Sequence, residues 1–106
     1  MQHSEKHQVC PKFEKAFLLI GKRWTGLIIR ILMDGKARFT DLEGAIPNLS
    51  GRMLAERLKE LEHEEILKRT VYGEVPVRIE YELTEKGSDL ADALNSIQDW
   101  AERWQQ

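Results

Sequence analysis

The chain has 106 residues, of which 42% are hydrophobic and 32% charged, with a formal net charge of -2. This length supports one modest core without a second folded unit, and the composition is that of a globular domain rather than a disordered or membrane-spanning one. No apolar run approaches the roughly 18 to 20 residues needed to cross a bilayer, and the first residues, MQHSEKHQ, lack the apolar centre of a secretion signal. A cytoplasmic protein with no membrane partner is therefore expected. The single cysteine, Cys10, allows no internal disulfide, and it shows no metal-ligand spacing with His3, His7 or His63, so neither metal nor cofactor is expected. Charge is unevenly spread: residues 21–59 hold eight basic and four acidic side chains, whereas the remainder toward the C-terminus is net acidic. A nucleic-acid partner stays open despite the overall sign.

Pro11 marks the start of a first helix, since proline at the first helical position loses no hydrogen bond and has its φ preset. Phe13, Ala16, Phe17 and Ile20 then fall on one face. After GKRW, the stretch WTGLIIRILMDG predicts a second, largely buried helix ending near Gly35. In RFTDLEGAIP, Thr40 followed three residues later by Glu43 predicts a capping box that opens a third helix, which Pro47 keeps short. Ser50 is placed to cap a fourth helix running to about Glu64. Its wheel puts Leu54, Leu58 and Leu61 on one side and Arg52, Ala55, Glu56, Lys59 and His63 on the other. One face anchors and the other is presented, which is the layout of a helix-turn-helix, although any two packed helices can share it.

The period then changes from 3.6 to 2. Val77, Ile79, Tyr81 and Leu83 alternate with Arg78, Glu80 and Glu82, and the preceding ILKRTVY is rich in β-branched and aromatic residues, with GEVP as the turn. A hairpin directly after a helix-turn-helix is a winged helix, so the expected fold is mainly α with a small β-hairpin, an α+β class. Thr84 is placed to cap a last helix in which Leu90, Leu94, Ile97, Ala101 and Trp104 form a seam, with Trp100 beside it. One small core has little room for this helix together with Phe13 and Phe17 of the first. A second copy of the chain is the expected cover; the alternative is that the last helix folds back on its own domain.

CPKFEKAFLLIGKRW, RFTDLEGAIPNLSGRMLAERLKELE, VYGEVPVRIEYELTEKG and the terminal tryptophan resemble, in order and spacing, the HxlR-type branch of winged helix-turn-helix transcriptional regulators, relatives of the MarR group. The resemblance runs from Cys10 to about Trp104. It implies a single winged-helix domain over residues 1–106, with residues 1–10 as a flexible N-terminal segment and residues 84–106 as a C-terminal dimerisation helix. It also implies a homodimer that binds double-stranded, palindromic operator DNA through the fourth helix and the wing. Two positions depart from the pattern. Gly51 stands where a larger polar side chain is common, removing one possible DNA contact, and Val77 stands where many members have a second proline, which bears on the rigidity of the wing.

In such a complex Arg52 is the candidate for base readout, because a guanidinium pairs with guanine O6 and N7 as a fork. Lys59 is expected at phosphate, and Ser50 is able both to cap its helix and to bond a phosphate. Arg57 has two equal readings, the DNA backbone or a neighbouring carboxylate. Glu56 is able to accept from cytosine N4, though a solvated or ion-paired glutamate is the plainer reading. Arg78, just past the wing turn, is expected along the minor groove, with Glu74 opposing deep entry. Lys22, Arg23 and Arg38 border the helix-turn-helix as phosphate contacts or as ordinary surface charge.

Cys10 precedes Pro11 at a helix start, where free N–H groups favour an anion and His7 and Lys12 are near in sequence. The likeness of CPKFEKAFLLIGKRWTGLI and RMLAERLKELE to the thiol- and quinone-sensing repressors implies that Cys10 senses electrophiles or oxidants, through adducts or low-molecular-weight thiols. The alternative is a small structural residue in a regulator without thiol sensing. Two further classes are weighed. An enzyme using Cys10 as nucleophile with His7 or His63 lacks an orienting partner and an oxyanion loop, and a winged-helix module that binds protein would leave the positive segment around the fourth helix unused.

Overall fold

The computed structural model describes residues 7–106. The flexible segment expected over residues 1–10 falls largely on residues 1–6, outside the described residues, as does His3. The elements in order are α1 (Pro11–Ile20), α2 (Thr25–Leu32), β1 (Ala37–Arg38), α3 (Phe39–Ala45), α4 (Gly51–His63), β2 (Leu67–Tyr72), β3 (Arg78–Leu83) and α5 (Glu85–Trp104).

The core is built around α2, whose Thr25, Ile28, Ile29 and Leu32 are all buried. Leu42 of α3, Leu54, Leu58 and Leu61 of α4, Ile66, Leu67, Tyr81 and Ala91 close over it. Ile46 and Leu49, buried in the turn between α3 and α4, fix that turn from inside, while Asn48 takes the left-handed backbone (φ 69) that its short polar side chain tolerates. Gly35, at φ 131, ends the turn after α2 in a backbone region closed to side chains with a Cβ.

Helix ends follow local chemistry in two of the three expected caps. Ser50 Oγ accepts from Met53 N–H at 3.1 Å, and Thr84 Oγ1 accepts from Gly87 N–H at 3.0 Å. The Thr40–Glu43 box does not form. Helix α3 begins one residue before Thr40, with Arg38 as its N-cap, and the Asp41 carboxylate accepts from Arg38 N–H at 2.9 Å. The reason is tertiary: Ala37 and Arg38 pair with Tyr81 and Glu80 as β1, and that pairing sets where the helix starts. Helix α4 ends in a Schellman arrangement, with Glu65 at φ 63, Ile66 N–H bonded to Leu61 O at 2.9 Å and Glu65 N–H to Glu62 O at 3.0 Å. Leu61 and Ile66 are both buried at this end, the apolar contact that accompanies such a stop.

The expected hairpin is two strands of a three-stranded antiparallel sheet in the order β1-β3-β2, with register from Leu67↔Leu83 to Tyr72↔Arg78. Val77, expected on the inner face with Ile79, Tyr81 and Leu83, lies in the loop before β3 and is 62% exposed. The hairpin projects past the core at that point, so its apolar alternation has nothing left to face.

Candidate nucleic-acid interface

Leu54, Leu58 and Leu61 are 0%, 1% and 1% exposed, and their burial fixes the roll of α4 on the core. Arg52, Ala55, Glu56, Lys59 and His63 are consequently all exposed on the opposite side, as their positions on the wheel require. At the N-terminal end of this face, a Cβ on Gly51 would lie 2.8 Å from Glu43 Oε2. The glycine thus leaves room for the Glu43 carboxylate beside the positive end of α4, a favourable placement of charge that the wheel of α4 alone does not reveal.

The remaining expected cations divide into free and engaged groups. Arg57 meets a carboxylate: its Nε donates to Arg23 O at 3.0 Å and its Nη1 to Glu60 Oε1 at 3.2 Å. Lys22 Nζ pairs with Glu60 Oε2 at 3.1 Å, and the Arg23 guanidinium lies over the Trp24 ring at 4.3 Å. Arg78 is held on the wing, with Nε 2.9 Å from Glu74 Oε2, Nη1 3.6 Å from Glu80 Oε2 and its guanidinium 4.1 Å from the Tyr72 ring centre. The Nε–H has no aligned acceptor, so the Glu74 contact is an ion pair without hydrogen-bond geometry. Arg38, Arg52 and Lys59 make no ion pair among the described residues. The engaged set was not legible residue by residue; only the three-residue spacing of Arg57 and Glu60 on one helix carried a signal.

A second, apolar surface is formed by α1, α2 and α5. No residue of α1 is buried. Phe13, Phe17, Leu27, Ile97, Trp100 and Trp104 are each at least 48% exposed, and the Phe13 and Phe17 rings pack tilted at 46° with centroids 4.9 Å apart. Leu90 and Leu94 pack partly against the core, so α5 is anchored by its first half while the second carries its apolar side outward, with Ala101 partly covered. An open groove of about 370 Å³ between α1, α2 and α5 is lined by Phe17, Trp24, Leu27, Leu94 and Ile97 among others. Cys10 is the exposed N-cap of α1, at the end of this surface; its carbonyl accepts from Glu14 N–H at 3.0 Å and its thiol makes no cap bond.

A helix-turn-helix with one polar face outward, followed at once by a hairpin and flanked by two further helices, defines a winged helix-turn-helix DNA-binding protein. The HxlR-like helix-turn-helix family model matches residues 19–106, and the chain belongs to that family. It is 55% identical over 97 residues to the HTH-type transcriptional regulator YvaP of Bacillus subtilis, covering 92% of this chain and 90% of YvaP. It is 53% identical over 96 residues to the HTH-type transcriptional regulator YodB of the same organism, covering 91% of this chain and 86% of YodB. The structure of reduced YodB superposes with a TM-score of 0.81 at 52% identity over 93% of this chain and 97% of that one, and YodB structures also exist in diamide-treated and quinone-bound forms. The oxidised form of the redox regulator HypR matches with a TM-score of 0.86 at 36% identity, covering 92% of this chain and 99% of that one. The chain is a DNA-binding transcriptional regulator, and the reading of Cys10 as an enzyme nucleophile falls with that assignment. No helix among the described residues is long and apolar enough to cross a membrane.

Proposed function

We propose that the chain acts in the cytoplasm as a homodimeric repressor that binds a palindromic operator and releases it when Cys10 is modified by a quinone or by diamide. The observation that carries this reading is the position of Cys10: an exposed thiol at the first turn of a helix that buries none of its residues and holds Phe13 and Phe17 outward. If a second copy covers that face, an adduct at Cys10 sits at the edge of the subunit contact and alters how the two protomers meet. The YodB structures in diamide-treated and quinone-bound forms support it by similarity.

The chemistry needs no group beyond the thiol and the named reagent. With a quinone, the thiolate sulfur adds to a ring carbon, and proton transfer to the oxygens leaves the hydroquinone thioether. With diamide, the sulfur adds across N=N; a second thiol, either a small thiol or the partner subunit's Cys10, then displaces the hydrazine, so two thiols lose two electrons and the azo bond gains them.

On the DNA side, Arg52 reads a base edge, Ser50, Lys59 and Arg38 meet phosphates, and Glu56 remains solvated. Arg78 reaches the minor groove only by exchanging Glu74 for DNA, and Lys22 reaches phosphate only by leaving Glu60. The test is a binding titration of reduced and quinone-treated protein against its selected duplex, with mass spectrometry of Cys10. Cys10→Ser is expected to bind DNA as the parent does and to keep that affinity after quinone or diamide; an unchanged loss of binding in this variant would end the sensor reading.

A further inference from the structure

We infer that Arg57 and Glu60 are positioning residues for operator binding: they lock the recognition helix α4 to the turn between α1 and α2 and so set the distance between the two DNA-reading surfaces of the dimer. The inference rests on the proposed homodimer, since only two copies have a separation to set.

The lock joins three pieces of chain. From α4, Arg57 reaches the carbonyl of Arg23 with its Nε at 3.0 Å, and the Glu60 carboxylate with its Nη1 at 3.2 Å. The other Glu60 oxygen accepts from Lys22 Nζ at 3.1 Å. Both cations thus converge on one carboxylate, and only 13% of the Arg57 side chain is exposed, in contrast to its neighbours Glu56 and Lys59 on the outward face. The turn it grips is an unusual one. Trp24, directly after the gripped carbonyl, has φ 81, a region a bulky side chain occupies only when its surroundings hold it there. Arg23 lies over the Trp24 ring at 4.3 Å, which closes the turn from the outside.

The leucine contacts beneath α4 are apolar and non-directional, so they fix burial of the helix better than its axial position. Hydrogen bonds from a planar guanidinium are directional and supply what the leucines lack. Because α1 leads into this turn and carries the uncovered apolar face, the same three side chains connect the subunit contact to the helix that enters the groove. Arg57 spends its Nε and Nη1 in this network and is placed away from the DNA-facing side of α4, so it is a brace and not a phosphate ligand.

The test uses full-length dimer, the duplex the parent selects from a randomised pool, and the same duplex with its half-sites moved one base pair closer or farther apart. Affinities are measured across a salt series for the parent, Arg57→Gln and Glu60→Gln. Both variants are expected to bind the selected duplex at least tenfold more weakly, about the scale of one charge-assisted hydrogen bond, with Arg57→Gln, which loses two, the weaker, and to discriminate little between spacings. For Arg57→Gln the dependence of log K on log salt keeps the parent's slope. A slope reduced by about one, the signature of a lost phosphate contact, overturns the inference, and so does spacing discrimination retained by both variants. If the parent itself ignores spacing, the dimer reading fails and takes this inference with it. Glu60→Gln leaves every cation in place and keeps the test decisive if Arg57→Gln does not fold.

Discussion

Arg52 and Lys59 share the exposed side of α4 but stand seven residues apart, roughly 10 Å along the helix axis at 1.5 Å per residue. In the proposed docking, that spacing separates a residue at the end that enters the groove from one near its rim. Arg52→Ala is expected to relax preference at one base pair of each half-site, worth about 1 to 3 kcal/mol of discrimination, in binding assays with single substitutions in the duplex. Lys59→Ala is expected to weaken all duplexes alike and to lower the salt slope by about one; base-selective loss in that variant would reverse the two roles. The outward set of α4 was readable because helical period alone decides which side a residue faces. The partners were not: Arg57, Glu60 and Lys22 meet across elements, and Glu43 lies beside Gly51 of the next helix.

At the scale of elements, Ser50 and Thr84 were legible as caps because each bonds an N–H three residues ahead. Thr84 does more than sequence shows, since its hydroxyl donates to Glu65 O at 2.6 Å and ties the start of α5 to the end of α4. Gly87 completes that junction, because a Cβ there would overlap the Ile66 carbonyl. Gly87→Ala is therefore expected to destabilise the fold by about 1 to 3 kcal/mol, the cost of overpacking a tight contact, despite the better helix propensity of alanine. Urea unfolding of parent and variant measures it, and a variant as stable as the parent would mean that the start of α5 shifts freely away from the Ile66 carbonyl. The start of α3 was misread because strand pairing with Tyr81 and Glu80 decides it, and a two-residue strand leaves no periodic trace.

The described residues form an elongated body, 66 × 33 × 24 Å with a radius of gyration of 16.5 Å, where a compact domain of 100 residues has about 13 Å. α1 buries none of its residues, and the distal half of α5 leaves Ile97, Trp100 and Trp104 uncovered. Ile97, 55% exposed, is a clean probe of the proposed homodimer contact. A charge at a half-exposed position costs an isolated chain little, so Ile97→Asp is expected to keep its helical content yet run as a monomer by light scattering and lose operator binding. A variant that remained dimeric would place the subunit contact elsewhere.

Most helices and the hairpin, with their faces, were readable from residue order alone: the buried leucines and polar side of α4, the alternation from Ile79 to Leu83, the proline start of α1 and the apolar seam of α5. These are short-range properties, set by the period of the backbone and by caps that reach no farther than one turn. Folding in three dimensions set which cations are free and which are paired, that a third strand precedes α3, and that Arg57 of α4 reaches the Arg23 carbonyl in the turn before α2. Ion pairs and strand partners depend on which distant residues the core brings within about 3 Å, and one-dimensional spacing does not record that distance.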